Sequence, residues 1–307
     1  MKIKKLMGYV IILLLGSILM GQHASAAYET NVYADSYTSG TDSQNIQQAI
    51  NFAAESGHPK TVALSDRVYD ITSPIVIKKG VKLQFSYGSQ FVINGNFRVL
   101  ELEQNASLDN AYIAISNSTF DSDVVYLDGK YHYYNTWNKT SITNMNIVNW
   151  AGTHKGTGLS LYAGNANDEI SFVTFNNIKI SGMNRGVLLH VDRPILGNAW
   201  INANRFSAIS LEDCVDMLTL DSSSTIPNES SGNQFTNLQF QPSTYTKSLA
   251  NISGQTNYLQ GMTWDTQLVA HSNPLITLTT NSADTILDIP SLPASRIADN
   301  GYNSTIR

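Results

Sequence analysis

Apolar residues recur along the chain in a fixed arrangement from residue 108 onward. Each unit contains an apolar anchor and apolar residues three and five positions after it. The six sets are Leu108/Ala111/Ile113, Ile142/Met145/Ile147, Phe175/Ile178/Ile180, Phe206/Ile209/Leu211, Phe235/Leu238/Phe240 and Leu259/Met262/Trp264. The last two positions of each set lie on one side of an extended strand. Because so short a unit cannot bury this face alone, the pattern predicts coils stacked in register, with Trp264 in the core.

A second apolar strand follows each anchor set. These strands lie at 124–127, 159–161, 187–189, 217–220, 249–252 and 275–278. Repeated short strands joined by loops of varying length are typical of an all-β, right-handed single-stranded parallel β-helix. A β-sandwich is the alternative, but its turns should recur every 8–12 residues or so without a matched anchor.

One amphipathic helix is predicted before the strands, over residues 41–57. Its apolar face contains Ile46, Ala49, Ile50 and Ala53. Thr41 or Asp42 is suited to cap its start, and Gly57 ends it. We expect the helix to cover the N-terminal end of the stack, where strand edges would otherwise be open. The coils are expected from about residue 60 to 290, followed by a C-terminal tail at 291–307.

Asparagines occupy the position two residues after several anchors. Asn144, Asn177 and Asn237 stand there, interrupted by Ala208. Stacked asparagines at a turn can hydrogen-bond one another and the bent backbone. We therefore interpret this column as structural and not catalytic.

The first 26 residues have the pattern of a cleavable export signal. Lys2, Lys4 and Lys5 precede an apolar run at 10–20, and Ala24-Ser25-Ala26 provides a small-x-small cleavage site. The apolar run is short for a bilayer span. We expect cleavage after Ala26 and a secreted, bacterial protein that forms one domain over residues 27–307, with no membrane contact after cleavage.

Charge and cysteine content narrow the function classes further. Removing the 26-residue signal, which contains three lysines, leaves 281 of the 307 residues, with 16 basic and 24 acidic side chains and a net charge of −8. Binding to nucleic acid normally requires the opposite sign. Cys214 is the only cysteine, which excludes an intrachain disulfide, and we interpret it as a small buried apolar group.

Three stretches resemble a known superfamily. The Gln47-Gln48-Ala49-Ile50 helix, the block at 61–77 and the coil repeats resemble the pectate-lyase-like β-helix superfamily. Within it, the stretch Trp-Ile-Asn-Ala-Asn-Arg-Phe at 200–206 is similar to phage tailspike and pre-neck-appendage-like proteins. The resemblance covers most of residues 40–290. It implies a polysaccharide lyase, a glycoside hydrolase or a glycan-binding receptor. The polygalacturonase motifs are missing, and no residues can be assigned to the metal-binding carboxylate cluster of pectate lyases.

Cationic residues concentrate in an otherwise acidic chain between residues 170 and 211. They are Lys179, Arg185, His190, Arg193 and Arg205, set against one acid, Asp192. Elimination from a uronate sugar needs a cation beside the carboxylate and a base for the C5 proton. We predict catalytic roles for Lys179, Arg185 and His190 and substrate contacts for Arg193 and Arg205. Ordinary solvated charges are the alternative interpretation.

A carboxylate column is predicted six residues after the anchors. It contains Glu212 and Asp265, with Gln241 on the coil between them and Asp213 adjacent. Two rungs place Glu212 and Asp265 roughly 9–10 Å apart, near the roughly 6.5–9.5 Å found in inverting glycosidases. We therefore regard this pair as candidate hydrolytic residues and Asp213 as a candidate binding residue.

A third column places Tyr162, His190 and Asp221 on successive coils, where they can transfer protons or bind sugar hydroxyls.

Exposed aromatic rings are suited to sugar stacking. The long insert at 126–137 supplies Tyr133, Tyr134 and Trp137 for this purpose, with packing onto the coil as the alternative. Trp150 and Trp200 are further groove candidates.

Two functions fit these observations. The first is a secreted polysaccharide lyase or glycoside hydrolase that acts on an extended glycan, including uronate-containing chains. The second is a non-catalytic glycan-binding or cell-wall-binding β-helix related to phage appendages. No cofactor and no metal site is predicted, although the acidic turns are compatible with calcium. The expected partner is a polysaccharide, and the chain is expected to be a monomer or a homotrimer.

Overall fold

The computed structural model describes residues 30–134, 139–222, 230–269 and 274–307. The predicted signal at 1–26 and Trp137 lie outside these residues. Within them, no helix has the length and apolar character needed to span a membrane.

The N-terminal part contains one α-helix and nine short strands. In chain order they are β1 (Asn31–Tyr33), α1 (Asp42–Ala54), β2 (Thr61–Leu64), β3 (Val68–Ile71), β4 (Ile75–Ile77), β5 (Lys82–Phe85), β6 (Gln90–Ile93), β7 (Leu100–Leu102), β8 (Ser107–Asp109) and β9 (Tyr112–Ile115).

The remaining strands are longer and continue to the C-terminus. The central ones are β10 (Asp123–Asp128), β11 (Ser141–Asn149), β12 (Thr157–Ala163), β13 (Glu169–Ser171), β14 (Thr174–Ser181), β15 (Arg185–Val191), β16 (Trp200–Asn202), β17 (Arg205–Glu212) and β18 (Asp216–Ser222). The last ones are β19 (Ser230–Ser231), β20 (Gln234–Gln241), β21 (Ser248–Gln255), β22 (Tyr258–Thr263), β23 (Ile276–Ala283), β24 (Ile286–Asp288), β25 (Ile297–Asp299) and β26 (Thr305–Ile306).

These strands form two parallel sheets in which each strand pairs with its equivalent one coil away. The first sheet has the order β1-β2-β5-β8-β11-β14-β17-β20-β22-β24-β26, with β3, β6 and β9 joining at β11. The second has the order β4-β7-β10-β12-β15-β18-β21-β23-β25, and the short strands β13, β16 and β19 join it at β21. The chain is thus a right-handed parallel β-helix, which confirms the predicted fold and excludes the β-sandwich.

The helix has the predicted place and a well-defined start. Thr41 and Gln44 form a reciprocal capping box, in which each side chain bonds to the other's backbone. The Gln47 side chain accepts from the Val76 N–H at 2.7 Å and donates to the Val76 carbonyl at 3.1 Å. Because Val76 lies in β4, at the edge of the second sheet, Gln47 occupies the place of a further strand and closes that edge.

The C-terminal segment is different from the prediction. Residues 291–307 were expected to form a tail beyond the coils. Instead β25 pairs with β23 and β26 with β24, so the coils continue to Thr305–Ile306. The short strands lack the strong apolar repeat, which is why the pattern ended too early.

Anchor residues from successive coils stack in the core. The Phe175 and Phe206 rings lie 4.4 Å apart and 3° from parallel, and Phe206 and Phe235 lie 4.3 Å apart and 9° from parallel. Burial of each of these phenylalanines contributes about 2–3 kcal/mol to folding.

Cys214 is also buried, as predicted, and burial raises the pKa of its thiol to about 12.

The strands of the first sheet bend at one left-handed residue per coil. Those residues are Asn110, Asn144, Asn177, Ala208 and Asn237, with φ from 54° to 60°. Asparagine adopts this conformation more readily than other non-glycine residues. The Asn177 amide donates to Asn144 at 2.9 Å, and Asn144 donates to Asp109 at 3.1 Å. The structural interpretation of this column is confirmed.

The coil that contains β22 lacks this bend, and the prediction for its side chains is wrong. In β22, Gly261 pairs with Leu238 and Thr263 pairs with Phe240. Without the extra left-handed residue, the alternation shifts by one position. Met262 and Trp264 are therefore 44% and 43% exposed, and Trp264 is not a core residue.

A second, fully buried asparagine ladder stands two residues before the anchors. The Asn204 side-chain amide donates to Oδ1 of Asn233 at 3.0 Å, and the Asn233 amide donates to Oδ1 of Asn257 at 3.3 Å. The same side chains bind backbone groups: Asn233 accepts from the Asn204 N–H and donates to the Ile201 carbonyl. The recurrence at 204, 233 and 257 is visible in the sequence, but the anchor pattern alone did not indicate it.

Replacing the middle amide of the buried ladder should destabilise the protein. Asn233→Ala leaves the polar groups of Asn204, Asn257 and Ile201 buried without that partner, and we expect a loss of about 2–4 kcal/mol. The unfolding free energy is measured by urea denaturation. Asn176→Ala, on the exposed face of β14, is the matched control and should change it by less than about 0.5 kcal/mol. Equal effects of the two substitutions would contradict the role of the ladder.

Completing the exposed column should stabilise the protein. Ala208 holds a φ of 55°, which costs more for alanine than for asparagine. Ala208→Asn should therefore raise the unfolding free energy by about 0.5–1 kcal/mol. The same denaturation assay measures the change. An unchanged or lower unfolding free energy would contradict the expected advantage of asparagine at this bend.

Candidate functional site

The outer face of the second sheet contains a depression centred on Ser160. At this position of the coil, Tyr126, Ser160 and Leu188 lie side by side on β10, β12 and β15. Ser160 is much smaller than its neighbours, so the surface dips there. Arg98 and Asp123 line one side of this Ser160 depression, and Tyr162 and His190 line the other.

The second side of the depression is a hydrogen-bonded network. Tyr162, His190 and Asp221 are paired on successive strands, which confirms the predicted column. His190 Nδ1 lies 2.9 Å from Asp221 Oδ2, and His190 Nε2 lies 3.1 Å from Asp192 Oδ1. The Tyr162 hydroxyl donates to the other oxygen of Asp192 at 3.2 Å, and its ring lies 17° from parallel with the imidazole at 5.8 Å.

This network favours proton transfer. Both ring nitrogens of His190 lie within hydrogen-bond distance of a carboxylate, which fixes the orientation of the imidazole, a group that can accept or donate a proton. Partial burial and the neighbouring Asp192 carboxylate raise the pKa of Tyr162, so its hydroxyl keeps its proton. A group that accepts a proton therefore lies beside one that can donate a proton.

The opposite side contains a cation and a carboxyl group. The Arg98 guanidinium lies 3.4 Å from the centre of the Tyr126 ring, and its nitrogens lie 3.3 Å from Glu101 and 3.6 Å from Asp123. Burial raises the pKa of Asp123, although Arg98 acts in the opposite direction. Asp123 is thus easier to protonate than an exposed aspartate, which suits a general acid.

Sequence reasoning missed Arg98, Asp123 and Tyr126. The position of Asp123 could have been found from the sequence, because Asp123, Thr157 and Arg185 stand at the start of successive second apolar strands. In the structure Asp123 pairs with Thr157, and Thr157 pairs with Arg185. Aligning the outward positions of those strands would have placed Asp123 beside the predicted column.

The predicted cationic residues do not form one patch. Lys179 and Arg205 lie in the first sheet, Arg185 and His190 lie in the second, and Arg193 follows β15. Lys179, His190 and Arg193 line three separate depressions. The five residues are close in sequence, but the corner between β14 and β15 directs them to different faces.

The predicted carboxylate column is offset by one residue at Asp265. Glu212 pairs with Gln241 as expected, but the shift in β22 places Asp265 one residue beyond this column. Gln241 and Gln267 both donate to the Asp265 carboxylate. Asp213 Oδ2 lies 2.9 Å from His154 Nε2, and the His154 ring stacks on Tyr245. These contacts assign structural partners to Asp213 and Asp265, whereas the Glu212 carboxylate makes no hydrogen bond within the described residues.

The predicted aromatic contacts have different outcomes. Tyr133 is fully buried, with its hydroxyl bonded to the Leu102 carbonyl, so its assignment to a sugar-binding surface is wrong. Tyr134 is half-exposed and packs against Phe172, and Trp150 is half-exposed beside Tyr112. Trp200 lies in β16 opposite Glu169, outside the Ser160 depression.

A metal centre finds no support in the described ranges, where no three His, Cys, Asp or Glu side chains are grouped to hold one.

Comparison with known proteins gives matches at the level of the fold. No protein-family model matches the chain, and no curated protein matches it. A solved surface adhesin of Streptococcus pneumoniae, PfbA, is 10% identical, with a TM-score of 0.44 over 90% of this chain and 91% of that protein. The Dettilon tailspike protein is 11% identical, with a TM-score of 0.40 over 91% of this chain and 69% of that one. The A-module of the Azotobacter vinelandii mannuronan C-5 epimerase AlgE4 is 11% identical, with a TM-score of 0.36 over 90% and 97%.

Proposed function

We propose that this chain is a secreted polysaccharide-processing enzyme whose active centre is the Ser160 depression. The observation that carries the proposal is the position of His190, held by Asp192 and Asp221 and stacked on Tyr162, across the depression from Arg98 and Asp123. A histidine fixed between two carboxylates is suited to proton transfer, and an open sheet face is suited to an extended chain.

Elimination at a uronate sugar is the first reaction that this arrangement supports. Arg98 is placed to pair with the sugar carboxylate and stabilise the charge that develops there. His190 accepts the C5 proton at Nε2, where the substrate takes the place of Asp192, while Nδ1 keeps its contact with Asp221. The electron pair of the C5–H bond forms the C4–C5 double bond, and the C4–O bond breaks. Tyr162 donates its proton to the leaving glycosidic oxygen, and Asp221, which contacts Nδ1, holds the imidazole in position. The products are an unsaturated chain end and a new reducing end.

Hydrolysis is the second candidate, and one specific observation favours it. The raised pKa of Asp123 suits a general acid that protonates a glycosidic oxygen. Asp192 or Asp221 then acts as the partner carboxylate that activates water. This reaction does not require an acidic sugar.

The proposal also includes the location and the oligomeric state of the protein. Export by the 1–26 segment, action outside the cell and a monomeric or trimeric state are expected but follow from the sequence alone. The structural neighbours are named as an adhesin, a tailspike and an epimerase, so their names include both binding and catalysis. The Ser160 depression is the reason for preferring an enzyme over a non-catalytic glycan-binding module.

Substitution of His190 should abolish the activity while the fold remains. Purified residues 27–307 are incubated with acidic and neutral polysaccharides, and both absorbance at 235 nm and reducing ends are recorded. We expect His190→Ala to lower the rate at least about 10²-fold and Tyr162→Phe to lower it strongly, as for loss of a general base or acid. His58→Ala, which removes a histidine stacked on Phe52 near the end of α1, is the control and should have the parent rate.

The two readouts separate the candidate reactions. Absorbance that rises with reducing ends identifies a lyase. Reducing ends without absorbance identify a hydrolase, and Asp123→Asn should then be inactive as well. Binding without either signal, or full activity of His190→Ala, would show that the proposed active centre is wrong.

A further inference from the structure

The outer face of the first sheet contains a second groove, on residues that the proposed activity does not use. Tyr112, Asn146, Lys179, Ser210, Gln239 and Met262 are paired in this order on six successive strands. These residues form one column along the helix axis, which we call the Lys179 groove. Its central part is a depression between Tyr112 and Glu212.

The polar side chains at the centre of this groove are available to a ligand. Within the described residues, the side chains of Asn146, Lys179 and Glu212 make no hydrogen bond or ion pair. This differs from the N-terminal coils, where Lys78 and Lys82 are paired with Glu103 and Asp109. Lys179 and Glu212 carry opposite charges on adjacent strands, so the centre of the groove has no net charge.

Exposed aromatic rings lie at both ends of the column. Tyr112 and Trp150 lie 6.4 Å apart at one end, and Trp150 is 53% exposed. Trp264 lies at the other end, exposed because β22 lacks the bend residue. Faces of exposed aromatic rings are apolar and pack against the C–H faces of sugars, while amides, hydroxyls and charged groups bind sugar hydroxyls.

The dimensions of the groove correspond to a linear chain of several sugars. Six strands span five intervals of about 4.8 Å, which is about 24 Å along the axis. A pyranose unit in an extended chain advances by a similar distance per residue, so each coil presents its polar side chain to one sugar.

The backbone excludes an extended peptide that would bind this face by adding a strand to the sheet. Strands β11, β14, β17 and β20 each have a paired strand on both sides, which uses their N–H and C=O groups within the sheet. A peptide that adds to a sheet needs a free edge. A ligand on this face must therefore bind through side chains alone.

We propose that the Lys179 groove is a second glycan-binding site, specific for a linear, uncharged glycan and separate from the active centre. Tyr112 and Trp150 stack on the sugar rings at one end, and Asn146, Lys179 and Glu212 bind hydroxyls at the centre. The site lies on the first sheet and the Ser160 depression on the second, so the two functions are independent of each other.

Binding of defined oligosaccharides tests this site directly. Titration calorimetry is carried out on residues 27–307 with cellohexaose and mannohexaose, with shorter oligomers of each, and with a hexauronate. We expect one or both neutral hexamers to bind, more tightly than their dimers and trimers and more tightly than the hexauronate. Trp150→Ala and Lys179→Ala should each weaken binding at least tenfold. Trp200→Ala is the matched tryptophan control and should bind as the parent does.

The His190→Ala variant distinguishes this site from the proposed active centre. It should bind the neutral hexamer with unchanged affinity, whether or not the parent has catalytic activity. The inference is overturned if neither neutral hexamer binds, if His190→Ala abolishes binding, or if Trp150→Ala has no effect. It is also overturned if Trp150→Ala changes the sedimentation of the protein but not its glycan affinity, because the groove would then be an interface between two copies. Circular dichroism and thermal unfolding of each variant confirm that the fold is kept.

Discussion

Hydrogen bonding between equivalent strands of successive coils is the constraint on which the rest of this structure depends. Each strand that is not at the edge of a sheet pairs in parallel with strands one coil before and after it, so residues at one coil position form a column about 4.8 Å apart. Inward columns become the core, as the stacked rings of Phe175, Phe206 and Phe235 show. Outward columns become surfaces whose chemistry is set by one residue per coil. Both candidate sites are such outward columns.

The same constraint explains how much could be predicted from the sequence. The anchor sets were placed correctly through Phe235 because every coil buries the same positions, which makes the apolar period strong. The Tyr162–His190–Asp221 column was predicted for the same reason. The prediction failed for Met262 and Trp264, because one missing left-handed residue reverses the alternation and no apolar signal marks its absence.

Residues in loops and at corners were predicted less well. Tyr133 lies in a long insert with no periodicity, so its burial depends on contacts with Leu102 and neighbouring coils that the local sequence does not encode. Lys179 and Arg185 are six residues apart in sequence, yet a corner places them on different sheets. Asp123 was missed because its importance depends on Ser160 and His190, which follow one and two coils later.

The buried asparagine ladder makes the coils of this solenoid unequal. Asn204, Asn233 and Asn257 satisfy one another, whereas the equivalent places in earlier coils hold Ala106, Thr140 and Val173. Coils in a solenoid contact only their neighbours, so separation between two coils is opposed only by the contacts at that boundary. A break within the ladder leaves a buried amide without its partner, while a break before Val173 does not. Unravelling that starts at the N-terminal end should therefore pause at this boundary, and the coils that share the ladder should separate together as one cooperative block.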